Sequence, residues 1–309
     1  MQIIPFEEIP SRLVYREVID RMRDALIANS LGECDTPMPM HLNIPPGGEV
    51  HIKSGYRRGG RYFALKTAST FPGNADRGLP TGSGMMMLFS AETGEPVALL
   101  DDHGHLTDVR TAAVAAMIAR ELGRRDTSLG ILGTGIQARL QARMHAEVLP
   151  LDAIFIWGRN RDRAELCARA IATPNTSVLL VSSAAEVARH TRLIVTATAA
   201  RAPLLRAADI QPGTHISAVG SDSPGKQELS PDILRRAALV IADSRRQCEQ
   251  LGELQHAPDV WPSAVEFTGQ ALNPPRDAIT IADFTGLGAE DLYIAECVAF
   301  RQPEPAAQA

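Results

Sequence analysis

The sequence predicts an α/β chain: a doubly wound parallel sheet joined to a second domain with an antiparallel sheet. Three observations predict it. From about residue 128 to residue 283 short apolar runs alternate with helical patterns, the rhythm of strands joined by crossover helices. Residues 49 to 69 instead hold two strand-like runs around Gly59-Gly60, a pair suited to a hairpin turn. Between these regions, Ser128 to Ala138 closes an apolar run with closely spaced glycines and opens a helix face.

Bulk properties set outer limits. At about 150 residues per domain, 309 residues suggest two domains, read here as 1–124, completed by a C-terminal helix over 289–309, and 125–288. Apolar residues at 45% and charged residues at 22% describe an ordinary globule. A net charge of −5 with scattered arginines excludes the basic field of a nucleic-acid binder. Cys34, Cys167, Cys248 and Cys297 are far apart with no C-x-x-C pair, so they read as reduced thiols, and no metal site is expected. No signal-like N-terminus and no apolar run of ~20 residues is evident, which points to the cytoplasm and away from membrane.

In chain order, residues 6 to about 28 read as an amphipathic helix. The prolines at 37, 39, 45 and 46 mark loop or edge strand. If Gly59 and Gly60 form the hairpin turn, Lys53 falls directly opposite Lys66. Like charges so placed destabilise a sheet, so the pairing makes sense if an anion sits between them or one amine is neutral. Ala64 and Ala68 flank Lys66 on its face and would let it be buried with a lowered pKa. The alternative is a longer turn with both lysines solvated. Met85 to Phe89 and Val97 to Leu100 are further strands, with the methionines as core filler.

Leu106 to about Leu122 reads as an alanine-rich helix with Thr107 or Asp108 as N-cap. That places Arg110 in the first turn, where a cation opposes the helix dipole unless an anion is also present. A substrate carboxylate is the natural anion for a two-pronged guanidinium; a plain exposed Arg is the alternative.

The glycine stretch makes the sheet Rossmann-type. Leu129 to Leu132 is a buried strand, and Ile136, Leu140, Met144 and Val148 recur at helical spacing. Gly133 suits the tight turn, Gly135 a close approach to pyrophosphate, and Ala138 close helix packing. With Thr134, Ile136 and Gln137 they form the candidate phosphate cradle at a helix N-terminus. The second strand, Ala153 to Trp157, ends in Gly158-Arg159-Asn160-Arg161, with no acid for a ribose 2′-hydroxyl. Arg159 and Arg161 suit a 2′-phosphate and therefore favour NADP over NAD, unless Arg159 stacks on adenine, and Asn160 between them is a further candidate cofactor contact. Beyond the later strands Leu193 to Thr196 and His215 to Val219, Thr196, Ala197, Val219 and Ser221 are candidate cofactor contacts. Asp222 follows at the carboxyl edge, as proton donor or acceptor or as cap of a helix near Pro231. Ile279 to Asp283 leads to a final helix from about Ala289 to Phe300, and the tail from Gln302 reads as frayed.

Lys66-Thr67, Leu106-Thr107-Asp108-Val109-Arg110-Thr111-Ala112-Ala113, Gly133-Thr134-Gly135-Ile136-Gln137-Ala138 and Gly220-Ser221-Asp222-Ser223-Pro224-Gly225-Lys226-Gln227-Glu228-Leu229 occur in this order. Together they resemble the ornithine cyclodeaminase/mu-crystallin family across nearly the whole chain. The resemblance implies a homodimer formed through the N-terminal antiparallel sheet, to which the C-terminal helix returns. It also implies that Lys66 and Arg110 hold a substrate carboxylate while Asp222 handles the amino or imino proton. Two departures bear on substrate. Where the family's ornithine cyclodeaminases place an Arg about two dozen residues before the lysine, this chain has Met38-Pro39-Met40-His41-Leu42, and Lys53 would supply the cation. The second strand also ends in arginines instead of an acid. The expectation is an NAD(P)H-dependent reductase of a small α-imino acid, with a dicarboxylic imine such as iminosuccinate among the candidates. The alternatives are a cyclodeaminase-type lyase that recycles NAD and an NADP-dependent small-ligand binding protein of crystallin type.

Overall fold

The computed structural model describes residues 1–301; the tail read as frayed lies outside the described residues. The chain forms two compact units, Met1–Arg110 with the chain from Leu287, and Thr111–Gly286.

The first unit is built on a seven-stranded sheet of β1 (Gln2–Ile4), β2 (Cys34–Asp35), β3 (Met40–Ile44), β4 (Gly48–Arg57), β5 (Tyr62–Thr70), β6 (Gly82–Ser90) and β7 (Pro96–Leu100). It runs β1-β7-β6-β5-β4-β2, with β3 also pairing to β4, and every pairing but β1 with β7 is antiparallel. The turn between β4 and β5 spans the four residues Arg58 to Arg61, closed by Gly60 N–H donating to Arg57 O at 2.7 Å. It is wider than a two-residue turn, yet the register is the expected one: Lys53 is the direct partner of Lys66. The early helix is shorter than its periodicity suggests. Pro10 lacks the N–H a helix interior needs, so Phe6–Glu8 and Pro10–Arg12 are separate 3-10 turns and α1 covers only Tyr15–Ser30.

Strand alternation separates the sheet's faces. On one, Ala64, Lys66, Met86, Leu88 and Leu100 are buried, and α8 (Gly288–Ala299) packs there. A Cβ on Gly55 would come 2.1 Å from Gly288 O, so only glycine allows this approach. The other face carries Ile3, Met40, Leu42, Ile44, Leu65 and Met85, all exposed. The methionine run is thus split by alternation: Met86 is core, whereas Met85 is 42% exposed and not filler.

α2 (His105–Glu121) begins two residues before the predicted cap. The sequence reading overlooked Asp102, whose carboxylate accepts the Leu106 N–H at 2.7 Å from beyond a turn with His103 at φ 52° and Gly104 at φ 87°. Arg110 accordingly lies in the second turn.

The second unit holds an eight-stranded sheet, all parallel. In chain order its parts are β8 (Ser128–Leu132), α3 (Ile136–Ala146), β9 (Ala153–Trp157), α4 (Arg161–Ile171), β10 (Ser177–Leu180), α5 (Ala184–His190) and β11 (Leu193–Thr196). There follow β12 (Arg201–Leu205), β13 (His215–Ala218), β14 (Gln227–Leu229), α6 (Pro231–Arg236), β15 (Leu239–Ala242), α7 (Arg245–Leu251), β16 (Val265–Glu266) and β17 (Thr280–Asp283). The order β10-β9-β8-β11-β13-β17-β15-β16 reverses direction between β8 and β11, while β12 and β14 pair separately. In such sheets the crevice at the carboxyl ends of the two strands flanking the reversal takes the ligand. The core is aliphatic, with Leu132, Ile194, Ile216 and Ile281 fully buried. All four cysteines are free thiols.

Candidate functional site

The crevice is walled by the glycine turn after β8 and the turn after β11. Gly133 has φ 132°, and a Cβ there would meet Ala197 O at 2.5 Å, so the turns after β8 and β11 touch across the reversal point. Gly135 is the N-cap of α3, supplies no side-chain cap, and has no neighbouring atom within 4 Å of where a Cβ would stand. Open space over uncapped N–H groups at a positive helix end is what a pyrophosphate requires. Ala138 is fully buried, as close packing demands. Ile136, however, is 49% exposed and does not belong to the buried face, which starts at Ala138.

A cleft of about 360 Å³ extends from this crevice, lined among others by Gly133, Thr134, Gly158, Arg159, Asn160 and Ala197. Gly158 is packed so tightly on Thr134 that a Cβ would come within 2.5 Å of its methyl. Asn160 caps α4 by accepting the Arg163 N–H at 2.9 Å, and Arg163 also lines the cleft. Arg161 instead pairs with Glu165 along the exposed helix. Arg163 and Arg201, both cleft residues, went unnoticed in the sequence; a helix written Arg-Asp-Arg does not reveal which arginine faces the ligand.

Three of the expected cofactor contacts, Thr196, Val219 and Ser221, are buried. The Thr196 hydroxyl donates to Glu228 at 2.7 Å, and the Ser221 hydroxyl to Lys226 O at 3.0 Å. Behind them runs a chain of buried carboxylates, each taking two backbone N–H groups of the segment that carries the next. Asp243 accepts from Thr285 and Gly286, Asp283 from Glu253 and Leu254, Glu253 from Glu228 and Leu229, and Glu228 from Thr198 and Gly220. The chain ends on the loops after β11 and β13. Burial raises Glu228 to about 7 against its hydrogen bonds, and raises Asp283 to about 7 likewise. Burial and the neighbouring Glu228 and Asp283 charges push Glu253 well up.

Asp222 stands on the loop beyond β13, its side chain 46% exposed, with its carboxylate 2.6 Å from Lys226 Nζ and accepting the Ser223 hydroxyl at 3.1 Å. It does not cap α6, whose N-cap is Ser230.

In the first unit, Lys53, Lys66 and Arg110 are all buried. Burial lowers Lys66 to about 7, with Lys53 and Arg110 pulling the same way against Asp291. The anions beside these cations are the protein's own. Arg110 donates through Nε to Asp291 at 3.1 Å and through Nη1 to Glu290 at 3.0 Å, and Lys66 Nζ lies 3.4 Å from Asp291. Burial would raise the Asp291 carboxyl, but Lys66 and Arg110 outweigh it and hold it low. Glu290 and Asp291 were invisible as site residues because acids in the first turn of a helix read as dipole partners. The available signal was their position in an otherwise apolar helix.

A parallel sheet with a glycine cradle at its reversal point, on a chain that also carries a unit with buried lysines on an antiparallel sheet, defines a two-unit protein of the dinucleotide-binding class. The profile of the ornithine cyclodeaminase/mu-crystallin family matches residues 2–302, and the chain belongs to that family. It is 40% identical over 293 residues to a protein of Rhizobium meliloti (strain 1021) provisionally named a dehydrogenase, covering 91% of this chain and 89% of that one. An archaeal alanine dehydrogenase dimer with bound NAD superposes with a TM-score of 0.87 at 29% identity, covering 96% of this chain and 94% of that one. The iminosuccinate reductase of Paracoccus denitrificans in complex with NAD+ superposes at 0.86 with 25% identity, over 97% and 95% of the two chains. Other relatives are named delta(1)-pyrroline-2-carboxylate reductase, ketimine reductase mu-crystallin and ornithine cyclodeaminase.

Proposed function

We propose that this chain is an NAD(P)H-dependent oxidoreductase that reduces the C=N bond of a small α-imino acid to the amino acid. The observation that carries the reading is the buried pair Lys53 and Lys66 with Arg110 alongside. Two lysines and an arginine gathered in a buried setting, beside Glu290 and Asp291, are the kind of groups that take a substrate carboxylate. When bound, the nicotinamide supplies the hydride. Lys53, Lys66 and Arg110 hold the carboxylate. The assignment of the imino proton is to Asp222, kept in place by Lys226; a protonated nitrogen makes the C=N carbon electrophilic. Gly133, Thr134 and Gly135 take the pyrophosphate. Arg159, Arg163 and the lack of an acid among residues 158–161 at the end of β9 favour NADP over NAD, as a 2′-phosphate needs cations.

The similarity to an iminosuccinate reductase keeps a dicarboxylic imine among the candidates beside monocarboxylic ones. A panel of keto acids with ammonia, cyclic imino acids and iminosuccinate, run with NADH and NADPH and followed by nicotinamide absorbance, tests the reading. Sustained oxidation of NAD(P)H with one of them is expected. No turnover across the panel overturns it, and ammonia release from ornithine without net change in nicotinamide redox state would assign the lyase instead.

A further inference from the structure

We propose that His41, Glu49 and His51 form a binding site for a divalent transition-metal ion of the zinc type on the β3–β4 ribbon. His41 and His51 are direct cross-strand partners, and Glu49 precedes His51 by two residues, so all three side chains leave the same face of the sheet. The two imidazoles stack with centroids 4.6 Å apart and 30° between their planes. Glu49 Oε2 lies 3.6 Å from His41 Nε2 and 4.0 Å from His51 Nε2, and one donor atom from each residue lies within 4.8 Å of the other two.

A tetrahedral zinc with bonds of ~2.0–2.2 Å to nitrogen and oxygen needs donors roughly 3.3 Å apart. The separations here are longer by a few tenths of an ångström to about 1.5 Å. Rotation about the last torsion of each side chain, which lies in a broad well, closes that gap without backbone movement. Two imidazoles and one carboxylate are borderline ligands suited to zinc, nickel or copper, and leave a fourth position for water.

The setting fits as well. The side chains of His41, Glu49 and His51 are 32%, 27% and 17% exposed, open to an ion yet shielded from bulk water. The opposing charge is Lys53, about 7 Å along β4 from His51; Glu49 lies on the other side of His51. An ion held here would tie β3, whose one partner among the described strands is β4, to the rest of the sheet.

The test uses the full chain with any affinity tag removed, stripped with a chelator and titrated with Co²⁺ alone, then with Zn²⁺. The expected result is a visible cobalt absorption that saturates at one equivalent per chain, is displaced by Zn²⁺, and is lost in both His41→Ala and His51→Ala. His51→Gln, which keeps the side-chain length, serves if an alanine variant fails to fold by circular dichroism. Absence of the band in the wild type, or its persistence in folded His41 and His51 variants, overturns the proposal.

Discussion

Lys66 shows how burial sets chemistry at a single residue. An amine lowered from 10.5 to about 7 is charged below that pH and neutral above it. If its charge holds a carboxylate, the substrate KM rises as the pH climbs past 7, while a variant keeping a charge at higher pH, Lys66→Arg, flattens that rise; an initial-rate series from pH 6 to 9 checks both. The same shift acts on stability. Between pH 7 and 10.5 the unfolded chain holds the proton and the folded chain does not, so this lysine makes the fold more stable as pH rises through that window. Glu228 differs because its oxygens are filled by donors. Glu228→Gln turns an amide N–H toward the Thr198 or Gly220 N–H, at about 1–3 kcal/mol for the unmet pairing. Nicotinamide cofactor affinity, read by fluorescence titration, is expected to fall about tenfold or more because the loops after β11 and β13 lose their anchor.

At the scale of elements, the closest approach in the first unit is β4 against α8. Adding a methyl by Gly55→Ala puts a carbon onto the Gly288 carbonyl; displacing backbone of this kind costs about 1–3 kcal/mol, so calorimetry should show a lower melting temperature. Here the legibility of the sequence can be judged. The lysine register was readable because the turn is centred on Gly59-Gly60, and widening it evenly on both sides leaves Lys53 opposite Lys66. The cradle was readable because strand, glycines and helix lie within a dozen residues. The start of α2 was not, since its cap comes from Asp102 across a left-handed turn. Glu290 and Asp291 were not either, because 180 residues separate them from Arg110 and local pattern carries no information over that distance. The carboxylate chain was hidden for the same reason: each link joins segments apart in sequence.

At the scale of the whole molecule, the exposed apolar face of the first unit's sheet is the main feature. Met40 at 58% and Met85 at 42% exposure stand on it with Leu42, Ile44 and Leu65. Such a contiguous patch marks an association surface, and we propose that it pairs two copies of this chain, as the family resemblance implies. A double change, Leu65→Glu with Met85→Glu, places charges at its centre, and light scattering on a sizing column is expected to show a monomer where the wild type is a dimer. A wild type that elutes as a monomer would remove the proposal.

The return of α8 to the first sheet also sets a timetable for synthesis. The ribosome makes Arg110 some 180 residues before its counter-charges, and Lys66 earlier still, and domains tend to fold as they emerge. Until Gly288–Ala299 leaves the tunnel, the nascent N-terminal sheet holds positive groups for which burial is costly. The last helix is thus the step that licenses the first unit to close, and the second unit has already been synthesised by then.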